Sequence, residues 1–380
     1  MDRFSEKKII LQKIVVLISI AIFCGYTTKI QASNGNDNSE SSFDFPTTEN
    51  KANINFTSVP DLFNWNIKYP QPGWEDAMDW FLGGMKKEGP DFMLNAGDVM
   101  DARWWNSKEQ VLNMTNEWWG GFKKRLEDKD IEIYIAPGDH EYGDDQGLSK
   151  MDLNSVFAKQ FVSIFNMPKN GPENMKGLAY SFTKGNLAVI SVNTFENAGG
   201  HLSITVSGEQ LRWLEEQLQK YQGKDFIIVQ GHVPVLGPVA SKSSSANMLE
   251  EGAESKFWKT MVKYGVDAYL CGEHHRITAK KYDGIWQIVH GALWGTHTRV
   301  NYLRGSVFDN SLKLELFRFS VEYSDAFIQA DHPHRGPTNK PHKKVWVSNK
   351  TRAEGPKSVG ELIIEKRGNG NITTRATGEF

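Results

Sequence analysis

The 380 residues predict a layered α/β fold, and three observations predict it. Short runs rich in β-branched and aromatic residues alternate with segments whose apolar residues recur at helical spacing. Polar clusters containing glycine follow directly after those runs, where an α/β chain turns from strand into loop. A composition that is 39% hydrophobic and 24% charged can bury a sizeable core, which excludes a disordered or fibrous chain. The net charge of −2 gives no strong field, so no nucleic-acid-binding surface of the broad basic kind is expected.

Taken in chain order, residues 1–32 read as an export signal. Arg3, Lys7, Lys8 and Lys13 precede the apolar run Ile14–Phe23, and Ile30-Gln31-Ala32 offers a small residue before a cut that leaves Ser33 first. The run is too short for a spanning helix. A periplasmic or secreted protein is therefore expected, the alternative being a lipoprotein anchored through Cys24, which is the only route to a membrane read here. Cys271 is the one cysteine left after cleavage, so the core rather than a disulfide holds the fold. Residues 33–53 are polar and read as a flexible leader.

Strands are expected at Ile54–Val59, Phe92–Leu94, Ile131–Ile135, Leu187–Val192, Phe226–Val229, Ala268–Leu270 and Trp286–Val289. Helices are expected around Trp74, Met78, Phe81 and Met85, and around Leu211, Leu214, Leu218 and Tyr221, the second opened by a capping box of Ser207 and Gln210. This main domain runs over 54–305. Residues 306–380 add the strand-like segments Leu312–Val321 and Val359–Ile364, completing or appended to it. The stretch His332–Lys344 between them, with His332, His334 and His342, reads as a solvated loop rather than a metal tract. Trp104, Trp105, Trp118 and Trp119 read as core before cleft, and the serine-rich Gly237–Glu251 as a loop at the rim of a site.

Four polar motifs carry the chemistry: Asn95-Ala96-Gly97-Asp98-Val99-Met100-Asp101, Pro137-Gly138-Asp139-His140-Glu141, Gln230-Gly231-His232-Val233-Pro234 and Cys271-Gly272-Glu273-His274-His275. Each sets glycine beside a potential metal ligand. Carboxylates and imidazoles without paired thiolates suit Mn²⁺, Fe or Zn²⁺ and exclude a structural zinc knot.

In order and spacing these motifs resemble the calcineurin-like metallophosphoesterases over roughly residues 54–295. The resemblance implies a four-layer sandwich, two mixed sheets flanked by helices, and a hydrolase that cleaves phosphate mono- or diesters at two divalent metal ions. It implies Asp98 as the bridging ligand, with Asp61, Asp139, His232, Glu273 and His275 as the other ligands. It makes His140 the group that protonates the leaving oxygen and Asp101 the acid that holds His140, and Arg103 is a further donor to the phosphate. Phe63 stands where the family's first histidine is expected, Asp139 where asparagine is, and Glu273 where a histidine is. An oxygen-rich second site points to Mn²⁺ or Mg²⁺ over zinc. Asp101 occupies the place of the tyrosine of purple acid phosphatases, which disfavours that branch. The same departures motivate an alternative, a non-catalytic protein that binds a glycan or phosphate with a degraded metal site.

Overall fold

A computed structural model describes residues 52–62, 73–99, 105, 107–143, 151–198, 201–242, 244–291, 299–326, 331–332, 336–337, 342–366 and 372–380. All lie in the second of the two units into which the chain divides, Met1–Ser42 and Phe43–Phe380. The expected export signal, Cys24 and nearly all of the leader lie outside the described residues. Among the described residues, no helix is long and apolar enough to cross a membrane.

The chain opens with β1 (Ile54–Ser58), α1 (Trp74–Glu88), β2 (Phe92–Asn95), α2 (Lys108–Glu127) and β3 (Ile133–Ile135), followed by a 3₁₀ turn at His140–Tyr142 and α3 (Met151–Phe165). Next come β4 (Tyr180–Lys184), β5 (Leu187–Ser191), the hairpin of β6 (Phe195–Ala198) and β7 (His201–Ile204), α4 (Gly208–Lys220) and β8 (Phe226–Gln230). Then follow α5 (Lys256–Lys263), β9 (Ala268–Cys271), β10 (Thr278–Tyr282) and β11 (Ile285–Val289). The last part holds β12 (Arg299–Val307), β13 (Ser311–Ala326), the two-residue β14 (Asp331–His332) and β15 (Gly336–Pro337), β16 (His342–Val347), α6 (Asn349–Glu354), β17 (Lys357–Lys366) and β18 (Ile372–Gly378).

Two mixed sheets result. The eight-stranded sheet runs β18-β17-β13-β12-β1-β2-β3, with β16 also on β13, and the six-stranded sheet runs β10-β11-β9-β8-β5-β4. In the first, β1, β2 and β3 are parallel while β12 is antiparallel to β1. In the second, β5, β8, β9 and β11 are parallel, with β4 and β10 antiparallel at the edges. Strands such as β5 and β8 are buried along their whole length, because a parallel sheet covered on both faces must be apolar on both.

The layers follow from what those faces touch. Phe56, Phe92 and Leu94 of the first sheet meet Leu187, Ile228 and Leu270 of the second in a shared core. The outer face of the first sheet packs on α1, α2 and α3 through Phe81, Trp119 and Phe161. The outer face of the second packs on α4 and α5 through Leu214, Leu218 and Trp258. The result is the four-layer sandwich, helices outside two mixed sheets. Trp105, Trp118 and Trp119 are core residues, packed against one another and against Phe157, while Trp104 lies outside the described residues.

Three expectations need correction. β12 was not among the expected strands, because the buried Asn301, Arg304 and Ser306 interrupt its apolar pattern. The capping box does not form: the Ser207 hydroxyl donates to Glu196 instead, and Gln210 bonds Asn193 and Glu196. A buried carboxylate is the stronger acceptor and captures both groups. The stretch read as a solvated loop contains β14, β15 and the start of β16 at His342.

Candidate metal centre

Five strands of the two sheets end on the same side, and the polar motifs follow their carboxyl ends. Asp61 comes just after β1, Asp98 after β2, Asp139 and His140 after β3, His232 after β8, and Glu273 after β9. The turns are sharp enough that Asp61, Asp98, Glu273 and His275 all adopt left-handed backbone conformations, with φ of 58, 59, 70 and 58°. Such conformations cost of order 1 kcal/mol each outside glycine and persist where the surroundings over-determine them. Two glycines permit the close approach. A Cβ on Gly138 would overlap the Asp98 carboxylate, and one on Gly272 would overlap that of Asp61.

The side chains converge on His232. Its Nδ1 lies 2.7 Å from the Ala96 carbonyl, which can only accept, so the Nδ1 proton is fixed there and Nε2 faces inward. That nitrogen stands 3.1 Å from Asp139 Oδ1, 3.2 Å from Glu273 Oε2 and 3.4 Å from Asp98 Oδ2. Asp61, Asp98, Asp139 and Glu273 are all at most 2% exposed. Three groups of ligand atoms come within 4.8 Å of one another: Asp61 with Asp98 and His232, Asp98 with Asp139 and His140, and Asp139 with His232 and Glu273.

Four buried acids crowded this closely cannot all ionise, even with imidazoles among them. Burial, with Asp98 and Glu273 nearby, pushes the Asp61 carboxyl well above the usual range. Burial and Asp139 push Asp98 up to about 8, and burial with Asp139 also raises Glu273. Burial disfavours charge on Asp139 too, yet His140 and His232 hold it below the usual carboxylate range. Burial opposes a charge on His232, but Asp98, Asp139 and Glu273 lift it well above the ordinary histidine value. Among the described residues, the buried oxygens Asp61 Oδ2 and Asp139 Oδ2 have no hydrogen-bond partner. An excess of dry carboxylate oxygens around an inward imidazole nitrogen fits hard divalent cations, which supply the missing positive charge.

The expected site residues fare unequally. Asp61, Asp98, Asp139, His232 and Glu273 come together. His140, expected as a proton donor, lies within a possible ligand group, its Nε2 3.7 Å from Asp98 Oδ2. His275 stands to one side, Nε2 3.6 Å from Asp61 Oδ1 and Nδ1 3.2 Å from the Lys242 carbonyl. Glu273 accepts from the Asn247 N–H and lies 3.2 Å from His232 Nε2. Asp101, Arg103 and Phe63 lie outside the described residues. The serine-rich loop is pinned to the site at Lys242, Asn247 and Leu249.

Two groups of residues had no role in the sequence reading. Glu141 is 1% exposed and accepts N–H bonds from Asp98 at 2.8 Å, Gly138 at 2.8 Å and Val99 at 3.1 Å. It thereby locks the Asp98 turn to the Asp139–His140 turn. Asn95 does the same for the first turn, donating to Val59 O at 2.6 Å and accepting from Gly97 N–H at 2.9 Å. Both sat inside the quoted motifs, but their partners are backbone groups that a sequence pattern does not display.

A family model described as calcineurin-like phosphoesterase matches residues 61–276. The chain is 26% identical over 200 residues to the probable glycerophosphodiester phosphodiesterase GpdQ of Arcobacter nitrofigilis, covering 52% of this chain and 62% of that protein. It is 24% identical over 227 residues to tartrate-resistant acid phosphatase type 5 of Oryctolagus cuniculus, covering 54% of this chain and 61% of that protein. The match thus spans about three-fifths of the length of these relatives. Among solved structures, purple acid phosphatase PPD1 from yellow lupin aligns with a TM-score of 0.47 and 16% identity, covering 69% of this chain and 51% of that one.

Proposed function

Given that the chain belongs to the calcineurin-like phosphoesterase family, we propose that it is a hydrolase of phosphate mono- or diesters, acting at a dinuclear metal centre outside the cytoplasm. The observation that carries this reading is the overlap of three possible ligand groups through Asp98, Asp139 and His232, at the joined carboxyl ends of two sheets. One shared cluster of this kind suits two cations better than one. Bound there, divalent metal ions supply Lewis-acid polarisation and a lowered pKa for water.

The chain's own groups do the rest. Asp61, Asp98, Asp139, His232 and Glu273 hold the cations, with His275 at the margin beside Asp61. Glu141 and Asn95 keep the turns in register. His140, its Nε2 3.7 Å from Asp98 Oδ2, delivers a proton to the leaving oxygen. The oxygen-rich donor set supports Mn²⁺ as the working ion. Export rests on the basic residues before Ile14–Phe23, and N-terminal sequencing of the mature protein should begin at Ser33.

The deciding experiment is hydrolysis of a chromogenic phosphate monoester and diester by the chain from Ser33, with Mn²⁺ added or chelated, beside Asp98→Ala. Manganese-dependent turnover lost in the variant supports the hydrolase. A folded protein without turnover in any divalent ion refutes it and leaves the binding role.

A further inference from the structure

A cleft of about 710 Å³ opens beside the metal centre, between α3 and the β6–β7 hairpin. That volume is the size of a drug-sized ligand site and far exceeds what a glycerol moiety fills. Its construction is regular. Asn154, Ala158 and Val162 line it from α3 at i, i+4 and i+8, forming one stripe, roughly 12 Å long, on that helix. Opposite them stand Asn193, just before the bend at Thr194, and Phe195 and Asn197, alternate residues of β6 that share one face.

The cleft adjoins the chemistry. Tyr142, which lines its inner end, closes the 3₁₀ turn that begins with His140. Its hydroxyl accepts from Asn193 Nδ2 at 2.8 Å. The Phe195 ring, another lining group, lies 6.2 Å from the ring of His232. Both Tyr142 and Asn193 follow the carboxyl ends of strands, β3 and β5, so the cleft opens on the face that carries the candidate ligands.

The lining has a definite chemical bias. Its ionisable rim consists of Lys159, Lys169, Lys176 and Glu173, and Glu173 is already paired with Lys176. Lys159 and Lys169 remain exposed, so the rim is cationic. The exposed side-chain amides of Asn166, Asn174 and Asn197 add neutral hydrogen-bonding groups suited to hydroxyls, and Ala158, Val162 and Leu202 give an apolar floor on which the C–H face of a sugar can lie.

We infer that this cleft is the subsite for the alcohol part of the ester, and that it selects a hydroxyl-rich group carrying its own negative charge, such as an anionic sugar. The inference rests on the phosphoesterase reading and narrows its substrate class.

The test uses D-glucuronate, an anionic sugar that the enzyme cannot hydrolyse, with D-glucose as the neutral control. Calorimetric titration of chelated protein should show glucuronate binding at least tenfold tighter than glucose. Lys159→Glu with Lys169→Glu, two exposed sites whose folding is checked by circular dichroism, should weaken glucuronate at least tenfold. In manganese-loaded protein, glucuronate should raise KM for p-nitrophenyl phosphate with kcat unchanged. Failure of wild type to bind glucuronate below about 10 mM, equal binding of glucose, or binding unaffected by charge reversal would each overturn the inference. Glucuronate binding in a protein that hydrolyses no ester with any metal would also overturn the alcohol-subsite assignment, and that pattern separately marks failure of the phosphoesterase reading.

Discussion

Replacing Glu141 by glutamine keeps the side chain's volume and removes one acceptor oxygen. In the native protein Oε2 accepts from Asp98 and Gly138 N–H, and Oε1 accepts from Val99 N–H. The glutamine carbonyl can occupy the Oε2 position and retain two bonds, but its amide nitrogen then faces the Val99 donor. One buried N–H is left unsatisfied, at about 1–3 kcal/mol, and the two remaining bonds fall to roughly half their charge-assisted strength. Against this, burial already disfavours the Glu141 carboxylate, and a neutral amide escapes that cost. The net loss is about 2 kcal/mol. At roughly 2 °C per kcal/mol for a chain larger than 250 residues, Tm falls by about 4 °C. The diagnostic effect is on metal: with the Asp98 and Asp139 turns no longer registered, Mn²⁺ affinity drops 10- to 100-fold, the range typical of groups that orient ligands. Calorimetry for Tm and electron paramagnetic resonance of free Mn²⁺ read the two quantities on the same preparation. A variant that melts lower but binds Mn²⁺ within twofold of wild type would show that Glu141 only holds the fold and would refute the positioning argument.

Other outcomes follow from the same geometry. Mn²⁺ at about a hundred times its Kd should stabilise the protein by ~2.7 kcal/mol, raising Tm by roughly 5 °C, and Asp98→Asn should abolish that rise in a thermal-shift assay. Gly138→Ala forces a Cβ into the Asp98 carboxylate and should lower Mn²⁺ affinity at least tenfold, whereas Gly83→Ala, with nothing within 4 Å of the new Cβ in α1, should raise Tm slightly. Glu88, buried under a hydrogen bond from the Tyr302 hydroxyl, has its carboxyl pushed up to about 8 by burial. The folded state therefore keeps a proton that the unfolded chain releases from pH 4.5 upward, and stability falls between pH 4.5 and 8 by at most about 5 kcal/mol. Glu88→Gln should flatten that slope, gaining on wild type as Tm is compared at pH 8 rather than pH 5.

How much was legible depended on whether a residue's role is carried by its own type or by what folding brings to it. The parallel strands were readable because burial on both faces makes runs such as Phe226–Val229 wholly apolar. Asp98, Asp139, His232 and Glu273 stood out as candidates because glycine next to a residue of metal-ligand type at a strand end is a local pattern, and the fold brings these four side chains together. β12 was not, since its polar residues are buried by partners far away, Ser306 against Asn55 and Arg304 against Glu315. Ser207 and Gln210 misled for a related reason: the local capping pattern is present, but Glu196, 11 residues from Ser207, takes both groups. Glu141 serves backbone donors more than 40 residues away as well as its neighbour Gly138, and no side-chain pattern encodes that.

The antiparallel pairing of β1 with β12, Ile54 opposite Val307 through Ser58 opposite Leu303, also fixes an order of assembly. Every motif with a metal-ligand type has been synthesised once His275 is added, yet one edge of the strand leading to Asp61 stays open until residue 307 follows. At cellular synthesis rates of ~5–20 residues per second, on the order of tens of seconds separate the two edges of that strand. A chain stalled between His275 and β12 would thus carry every candidate ligand while the strand that leads to Asp61 lacked its β12 edge.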